Sequence, residues 1–439
     1  MNLVSYKTKS LHGEVTCPGD KSVSQRIVII GSLLNCDMRV YGFLNAQDPL
    51  STVNALNSIG SSISINGNEV ILKKREVMFK DPEQELNLGN SGTGARLLLG
   101  LISGLGLRST ITGDSSLSKR PMNRIIEPLR MMGARLSSDK GMLPISTQGS
   151  KIINNFEYEM PIASAQVKSC LLLTAISAKK NIKITEPKIT RDHTEKMIEF
   201  FGGDIAYVNN QNSRLIQLNF SELNPKDTFN VPGDFSSASF IIVATIISKE
   251  SDVLIKNVGL NESRKGLLEI LTLMGANINI KNQKEVSNEI VGDIYVRSSE
   301  LKGIDVPDEI IPNIIDEIPI LSIAACFADG QTVIRNASEL RVKESDRLNA
   351  ISEGLLKLKI KHDIVDDGIS ITGTTNEIKC DEFIDSFDDH RIAMSFLISG
   401  IRSKNCIRVK NCKNIETSFP NFKDIMNSIG TVSYTHLRA

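Results

Sequence analysis

The tripeptide Pro-Gly-Asp occurs at residues 18–20 and again at residues 232–234, 214 positions apart in a chain of 439 residues. Each copy leads into a serine-containing segment, Lys-Ser-Val-Ser after the first and Phe-Ser-Ser-Ala-Ser after the second. An offset close to half the chain indicates two related halves. The chain is also longer than a single hydrophobic core normally supports, so two domains are expected.

A shorter period lies inside each half. Six segments open with small polar or acidic residues and run into an apolar stretch of helical length, near residues 22, 91, 164, 236, 316 and 389. A short β-like stretch follows each segment. The centres of these stretches are Val40, Ile111, Ile184, Ile255, Ile334 and Val409, which are spaced by 71 to 79 residues.

The repeats predict an α/β fold of two domains. Each domain is expected to contain three repeated α/β units, with a buried helix, a sheet strand and an outer amphipathic helix in each unit. The predicted domains are residues 19–231 and residues 1–18 with 232–439, with hinges near Pro18–Asp20 and Pro232–Asp234.

Charge and cysteine content narrow the class of protein. The 51 basic and 51 acidic side chains cancel, which argues against nucleic acid or an anionic membrane as the main partner. Seven cysteines without a C-x-x-C pattern predict a reduced, cytoplasmic protein. The first residues lack the apolar core of a signal peptide, and no apolar stretch approaches about 18 residues.

Basic residues gather at the expected starts of the helices, where small anions would bind. They are Lys21, Arg26, Arg96, Arg120, Lys168, Arg191, Lys343, Arg347 and Arg391. Asp316, Glu317 and Glu344 stand among them and are candidates for proton transfer. The chain contains neither G-x-x-x-x-G-K-[ST] nor G-x-S-x-G, and its histidines lack metal-ligand spacing, so we expect no cofactor and no metal.

Several motifs together resemble one family of enolpyruvyl transferases. They are PGDKSVSQR, GNSGTGAR, SKRPM, SAQVKS, ITRDHTEKM, RVKESDR and DDHRIAMSF. The chain is similar, from about residue 13 to residue 430, to the 5-enolpyruvylshikimate-3-phosphate synthases. The resemblance implies that the enolpyruvyl group of phosphoenolpyruvate moves to the 5-hydroxyl of shikimate 3-phosphate by addition and elimination, with release of phosphate, as in chorismate biosynthesis. It also implies a monomer, and domains in which the buried helices run parallel in an inside-out α/β barrel.

The resemblance also implies roles for individual residues. Asp316 would accept the hydroxyl proton, Glu344 would protonate the methylene carbon, and Lys21 would assist as a catalytic cation. The implied contacts to shikimate 3-phosphate are Lys21, Ser22, Arg26, Ser164, Ala165, Gln166, Arg191, Asp316 and Lys343. The implied contacts to phosphoenolpyruvate are Lys21, Gly92, Arg120, Gln166, Arg347 and Arg391.

Two features depart from the family pattern. Many members carry a lysine shortly before a final S/T-F/Y-P motif, whereas this chain has Ile-Glu-Thr at residues 415–417. Lys413 could replace that cation only if the loop shifts. The terminal segment, residues 431–439, is shorter and less strand-like than a last repeat would require, so we expect it to be frayed or foreign to the natural chain.

Two alternatives remain at this point. A related transferase acting on UDP-N-acetylglucosamine would share the fold, but it would need a reactive cysteine within residues 113–149, where this chain has none. A non-catalytic anion-binding relative would be expected to lose the proton-transfer carboxylates, yet Asp316 and Glu344 are both present.

Overall fold

The structure is a computed structural model, and it describes residues 1–152, 154–210 and 213–430 together with the backbone of residues 435–436. The chain divides into two compact units. The N-terminal unit comprises Gly19–Pro232 and Glu285–Glu289. The C-terminal unit comprises Met1–Pro18, Gly233–Lys284 and the chain from Ile290 onward.

The first two strands, β1 (Leu3–Tyr6) and β2 (His12–Thr16), belong to the C-terminal unit. All other elements before residue 231 belong to the N-terminal unit. Its α-helices are α1 (Lys21–Leu34), α2 (Gln47–Ser58), α3 (Gly92–Leu105), α4 (Asn123–Met131), α5 (Ala165–Ala178) and α6 (His193–Phe200). Its strands are β3 (Met38–Tyr41), β4 (Ser62–Asn66), β5 (Glu69–Lys73), β6 (Leu86–Asn87), β7 (Arg108–Thr112), β8 (Leu136–Ser138), β9 (Ile145–Gln148), β10 (Phe156–Glu159), β11 (Ile182–Glu186), β12 (Asp204–Asn209), β13 (Arg214–Asn219) and β14 (Thr228–Asn230).

The strands of the N-terminal unit form three small mixed sheets with one common topology. The strand orders are β14-β3-β5-β4, β6-β7-β9-β8 and β10-β11-β13-β12. In each sheet the second strand pairs in parallel on one side and antiparallel on the other, as β11 does with β10 and β13. The strands β3, β7 and β11 are the β-like stretches expected from the period of the sequence.

The C-terminal unit continues the chain from residue 233. Its α-helices are α7 (Phe235–Ile247), α8 (Gly266–Leu273), α9 (Ile311–Ile314), α10 (Ile318–Cys326), α11 (Arg347–Lys357), α12 (His390–Ser399) and α13 (Phe422–Ile429). Its further strands are β15 (Asp252–Gly259), β16 (Asn277–Val286), β17 (Glu289–Arg297), β18 (Leu301–Lys302), β19 (Ala328–Asp329), β20 (Gln331–Ile334), β21 (His362–Val365), β22 (Gly368–Thr372), β23 (Phe383–Asp385), β24 (Cys406–Lys410) and β25 (Thr435–His436).

The same sheet topology recurs in the C-terminal unit. Two sheets have the orders β16-β17-β15-β2 and β23-β24-β1-β25. A third sheet is β20-β22-β21, which a parallel bridge from Asp305 to Val333 extends. The short strands β18 and β19 pair in parallel as a separate two-stranded sheet. The backbone of Thr435 and His436 pairs with β1, while the rest of the terminal segment 431–439 lies outside the described residues.

Six helices that open with polar residues supply much of the core, as their apolar composition predicts. They are α1, α3, α5, α7, α10 and α12, and every residue of α7 and α10 is buried. The fifth of these helices begins at Ile318, two residues after the predicted opening residue Asp316. The short helix α9 ends at Ile314, and residues 315–317 form the turn between the two helices.

Helices α3 and α5 pack at unusually short range. A Cβ atom on Gly100 would lie 2.4 Å from the carbonyl oxygen of Cys170, and one on Gly104 would lie 2.5 Å from that of Thr174. The Thr174 hydroxyl donates a hydrogen bond across this contact to the carbonyl of Gly100, at 3.0 Å. The small residues in α3 therefore set the distance between two helices whose N-termini carry candidate site residues.

Candidate active site

Three helices of the N-terminal unit begin at residues that the sequence singles out. The side chains of Asp20, Ser91 and Ser164 cap α1, α3 and α5, and each accepts a hydrogen bond from a backbone N–H within the first turn. The remaining N–H groups of the first turn and the positive end of each helix dipole attract anions. The polar residues that open these three helices therefore act as N-caps.

Side-chain hydrogen bonds connect the three N-termini. Gln25 on α1 donates from Nε2 to Ser91 Oγ at 2.6 Å, which joins α1 to α3. A second bond runs from Arg26 Nη2 to Ser169 Oγ at 3.0 Å and joins α1 to α5. Arg96 Nη1 on α3 and Gln166 Oε1 on α5 lie 2.8 Å apart. The three positive helix ends are therefore neighbours within one unit.

Lys21 and Arg26 differ in accessibility. Lys21 is the first residue of α1, its side chain is 18% exposed, and its Nζ lies 3.1 Å from Asp48 Oδ2. Arg26 lies one turn further along α1 and is buried. Its guanidinium donates to Thr194 Oγ1 at 2.8 Å and to the carbonyl of Ser22 at 3.0 Å. Lys21 thus presents an ammonium group at the surface of the unit, while Arg26 connects α1 to its neighbours.

Gly92 stands at the start of α3 beside two guanidinium groups. A Cβ atom at this position would lie 2.9 Å from Arg96 Nη1 and 3.0 Å from Arg120 Nη1. Arg120 donates from Nη2 to Asn90 Oδ1 at 2.6 Å. The absence of a side chain at Gly92 therefore leaves room for two cations next to the backbone N–H groups of α3.

The structure changes the interpretation of Lys168. The sequence places it among the cations at the helix starts, but its side chain is fully buried on α5. Its Nζ lies 3.0 Å from Glu186 Oε2 and 2.7 Å from Glu195 Oε1, and it donates to the Thr190 carbonyl at 3.3 Å. Burial raises the pKa of Glu195, although Lys168 opposes that effect. Lys168 thus anchors the segment that precedes Arg191.

The other candidates of this unit lie at element ends. Ser22 is in the first turn of α1, and Ala165 and Gln166 are the first two residues of α5. Gln166 Nε2 also donates to Thr93 Oγ1 at 3.0 Å, which gives it contacts to two residues of α3. Arg191 is partly exposed in the turn before α6.

In the C-terminal unit the polar starts of α7, α10 and α12 are likewise connected. Ser236 on α7 donates from Oγ to Glu317 Oε1 at 2.5 Å, immediately before α10. Arg391 on α12 donates to both of these residues, at 3.1 Å to Ser236 Oγ and 3.2 Å to Glu317 Oε1. Its Nη1 also donates to the carbonyl of Asp316 at 2.8 Å. One guanidinium therefore links all three helix starts.

Arg347 lies at the centre of a group of carboxylates. Its guanidinium is buried and donates from Nε to Asp389 Oδ2 at 2.8 Å and from Nη1 to Asp316 Oδ1 at 3.1 Å. Its Nη2 contacts Glu344 Oε2. Burial acts to lower the pKa of Arg347, but the charges of Asp389, Glu344 and Asp316 outweigh it and raise that pKa above its ordinary value.

Lys343 is the more accessible cation of this group. Its Nζ lies 3.7 Å from Asp316 Oδ1 and 3.4 Å from Glu339 Oε2, and its side chain is 23% exposed. Asp316 thus has two cations within 4 Å, one buried and one near the surface. The motifs RVKESDR and DDHR, separate in sequence, are brought together here through Arg347 and Asp389.

Arg264 belongs to this group of residues, although it lies in none of the motifs of the sequence. Arg264 is buried and donates from Nη2 to Ser236 Oγ at 2.6 Å. The repeat carries a signal for it, because Arg264 follows the strand centre Ile255 by nine residues, as Arg120 follows Ile111. Both arginines precede an outer helix.

The described residues were also searched for metal-binding groups and for membrane-spanning helices. Nowhere in the described ranges do three or more His, Cys, Asp or Glu side chains form a group that could hold a metal ion. Within the same part of the chain, every helix is too short or too polar to cross a bilayer.

Comparison with known proteins gives the family. The family model for EPSP synthase (3-phosphoshikimate 1-carboxyvinyltransferase) matches residues 5–426. The chain belongs to the EPSP synthase family. A 3-phosphoshikimate 1-carboxyvinyltransferase of Petrotoga mobilis is 46% identical over 436 residues, covering 98% of this chain and all of the relative. The enzyme of the same name from Coxiella burnetii is 41% identical over 433 residues, with 98% and 97% covered.

Solved structures of the family agree with the fold. An EPSP synthase structure from Acinetobacter baumannii covers 99% of this chain and all of its own chain, at 38% identity and a TM-score of 0.86. The protein is thus an EPSP synthase of mixed α/β fold, built from repeated small mixed sheets with helices. It transfers the enolpyruvyl group from phosphoenolpyruvate to shikimate 3-phosphate. This confirms the sequence-based preference over the UDP-N-acetylglucosamine enzyme and over a non-catalytic relative.

Proposed function

We propose that the helix starts, which are connected to one another within each unit, supply the groups that bind and activate the substrates. Both substrates carry a phosphate and a carboxylate, which suit arginine, lysine and helix N-termini. The observation that carries the proposal is the linkage of α1, α3 and α5 by Gln25, Arg26 and Arg96, because it gathers three positive helix ends beside several cations.

The residue roles follow the family resemblance, with the observed contacts in support. The proposed contacts to shikimate 3-phosphate are Lys21, Ser22, Arg26, Ser164, Ala165, Gln166, Arg191, Asp316 and Lys343. The proposed contacts to phosphoenolpyruvate are Lys21, Gly92, Arg120, Gln166, Arg347 and Arg391. Most of these side chains lie in the first turn of a helix or immediately before one.

The proposed chemistry uses two carboxylates. Asp316 accepts the proton of the 5-hydroxyl while that oxygen bonds to the central carbon of phosphoenolpyruvate, and Glu344 donates a proton to the methylene carbon. The resulting tetrahedral intermediate then loses phosphate and a methyl proton, which restores the double bond. The structure supports this pairing because Asp316 and Glu344 contact different nitrogens of the same Arg347 guanidinium.

Lys21 is proposed as the third catalytic group. Its ammonium is partly exposed at the start of α1, close to Asp48. A partly exposed lysine beside a positive helix end can stabilise the charge that develops on the departing phosphate. Its contact with Asp48 supports this role, since the carboxylate orients the ammonium.

We further propose the finer architecture and setting predicted from the sequence. The domains would be residues 19–231 and residues 1–18 with 232–439, each an inside-out α/β barrel of three units, hinged near Pro18–Asp20 and Pro232–Asp234. The sheet topology that recurs along the chain supports the repeat. A monomer in the cytoplasm is proposed as well, and the seven cysteines, all present as free thiols, are consistent with a reducing compartment.

The role of Asp316 is tested by phosphate release from phosphoenolpyruvate plus shikimate 3-phosphate. Removal of a proton acceptor is expected to lower kcat by about 10²- to 10⁴-fold in Asp316→Ala. Asp305→Asn is the control, because Asp305 forms an exposed ion pair with Arg335 and should leave kcat unchanged. Full activity of Asp316→Ala would refute the assignment.

A further inference from the structure

The hydroxyl of Ser236 uses its whole hydrogen-bonding capacity. A serine hydroxyl offers one donor and two acceptor positions. Here Oγ accepts from Arg264 Nη2 at 2.6 Å and from Arg391 Nη2 at 3.1 Å, and it donates to Glu317 Oε1 at 2.5 Å. The three partners fix the orientation of the hydroxyl, and the hydroxyl in turn fixes one nitrogen of each guanidinium.

Glu317 holds the other terminal nitrogen of Arg391. Its side chain is fully buried, and Oε1 lies 3.2 Å from Arg391 Nη1. Nη1 also donates to the Asp316 carbonyl, so the planar fork of Arg391 is held on both sides. A buried carboxylate requires a charged partner, and Arg391 is that partner for Glu317.

Glu317 stands where a side chain usually caps a helix, but its carboxylate has a different function. Glu317 occupies the N-cap of α10, yet its side chain forms no capping hydrogen bond to that helix. Its Oε1 instead contacts Ser236 and Arg391. The position is therefore used to hold an arginine rather than to stabilise a helix end.

We propose that Ser236 and Glu317 are positioning residues, which hold the Arg391 guanidinium in the orientation that receives phosphoenolpyruvate. The proposal rests on the role of Arg391 proposed above. The counter-ion orders the arginine before the substrate arrives, which reduces the entropy lost on binding. Arg264 contributes indirectly, because it occupies the second acceptor position of Ser236 and keeps that hydroxyl directed at Glu317.

The two copies of the Pro-Gly-Asp motif place their serines in different surroundings. Ser236 occupies the same place after Pro-Gly-Asp as Ser22, 214 residues earlier. Ser22 is partly exposed and follows the cation Lys21, whereas Ser236 is buried and follows the apolar Phe235. The second copy of the motif therefore faces inward and positions an arginine, while the first copy presents polar groups near the surface.

The test compares Ser236→Ala and Glu317→Gln with the parent enzyme in steady-state kinetics. A hydrogen bond to a charged group is worth about a tenfold change in affinity, so the KM for phosphoenolpyruvate should rise about tenfold in each variant. The kcat should change by less than about threefold, and the KM for shikimate 3-phosphate should stay constant. Thermal unfolding verifies that both variants fold.

The control is Ser322→Ala. Ser322 is a buried serine of α10 whose hydroxyl donates to the carbonyl of Ile318 at 2.8 Å, without contact to Arg391. Both KM values should match the parent. If Ser322→Ala raised the KM for phosphoenolpyruvate as much as Ser236→Ala, general loosening of the helices would explain the result and the proposal would be wrong.

A double-mutant cycle separates positioning from other effects. In the background of Arg391→Lys, which lacks the planar fork, Ser236→Ala and Glu317→Gln should each change the KM for phosphoenolpyruvate by less than about twofold. Full additivity would overturn the positioning role. If Arg391→Lys alone left that KM unchanged, the proposed role of Arg391 would fail instead, so the two failures are distinguishable. Should Ser236→Ala not fold, Glu317→Gln completes the same cycle.

Discussion

The Arg347 guanidinium and the Asp389 carboxylate form a fully buried ion pair, with Nε 2.8 Å from Oδ2. Asp389 has a second function, because its other oxygen caps α12 by accepting a hydrogen bond from the backbone N–H of Arg391 at 2.9 Å. One carboxylate thus fixes both a buried cation and the start of the helix that carries the second arginine.

Asp389→Asn is expected to lower the free energy of unfolding by about 3 kcal/mol, because it removes one charge of a buried pair. Asparagine caps helices as well as aspartate does, so the loss isolates the charge. The KM for phosphoenolpyruvate should rise as Arg347 shifts. Urea unfolding and steady-state kinetics measure the two effects.

Asp346→Asn is the matched control. Asp346 caps α11 and forms an exposed ion pair with Arg341. Because surface pairs contribute little, the change in stability should stay below about 1 kcal/mol. An equal fall in the free energy of unfolding in the two variants would show that the buried charge of Asp389 stabilises the protein no more than an exposed charge does.

Gly92→Ala should weaken phosphoenolpyruvate binding without unfolding the protein. The added Cβ would press on Arg96 and Arg120, whose guanidinium ends can move aside but would then be displaced. We expect a rise of about tenfold in the KM for phosphoenolpyruvate and a stability within about 1 kcal/mol of the parent. An unchanged KM would contradict the placement of Gly92 in the substrate pocket.

Gly104→Ala, later in the same helix, should show the opposite pattern. Its Cβ would lie 2.5 Å from the backbone carbonyl of Thr174, which cannot move without separating α3 from α5. A stability loss of about 2 kcal/mol is expected, with the KM for phosphoenolpyruvate unchanged.

Thr190→Val tests the anchoring of the segment before Arg191. The Thr190 hydroxyl donates to the buried carboxylate of Glu186 at 2.7 Å. Without it, Arg191 should be held less firmly, and the KM for shikimate 3-phosphate should rise about fivefold while that for phosphoenolpyruvate stays constant. Thr245→Val is the control, since that buried hydroxyl donates to the helix carbonyl of Ile241. A similar rise in both variants would argue against the anchoring role.

Glu195→Gln should make stability less dependent on pH. Burial raises the pKa of Glu195 in the folded protein, so the protonated side chain favours folding below its unfolded pKa. That contribution is lost as the pH rises through the folded pKa. As the pH rises from the ordinary glutamate pKa, about 4, Glu195→Gln should therefore gain stability relative to the parent, as urea unfolding at each pH would measure.

Glu199→Gln provides the comparison for this pH series. Glu199 lies on the same helix, α6, but is exposed. Its difference from the parent should stay constant over the same pH range. A constant difference for Glu195→Gln as well would show that the buried carboxylate does not titrate as its surroundings require.

Much of the architecture follows from local patterns in the sequence. The apolar segments predict α1, α3, α5, α7 and α12 close to their observed starts. The β-like stretches predict β3, β7, β11, β15, β20 and β24, each of which has one parallel and one antiparallel neighbour. These patterns are reliable because burial depends on residues a few positions apart. One helix end shows where such a local pattern fails. Four of the outer helices are followed by a glycine at positive φ, whereas the fifth is followed by Lys359, which adopts a φ of 59° without being a glycine.

The role of an individual side chain depends on contacts between residues that are distant in the sequence. From the sequence, Lys168 resembles the other cations at the helix starts, but Glu186 and Glu195 surround it in the folded chain. Arg264 carries no motif, yet it reaches Ser236. Which basic residue is buried against a carboxylate is decided by neighbours that are distant in sequence, and no local pattern encodes that pairing.

The repeat, the family and the set of charged residues available for the reaction can all be read from the order of the amino acids. The distribution of those charges follows from the folded chain, in which buried carboxylates hold Arg347 and Arg391 while Lys21 and Lys343 stay partly exposed. Desolvation explains the difference. A charge removed from water must find a partner, and the partner is supplied by whichever helix start the fold brings next to it.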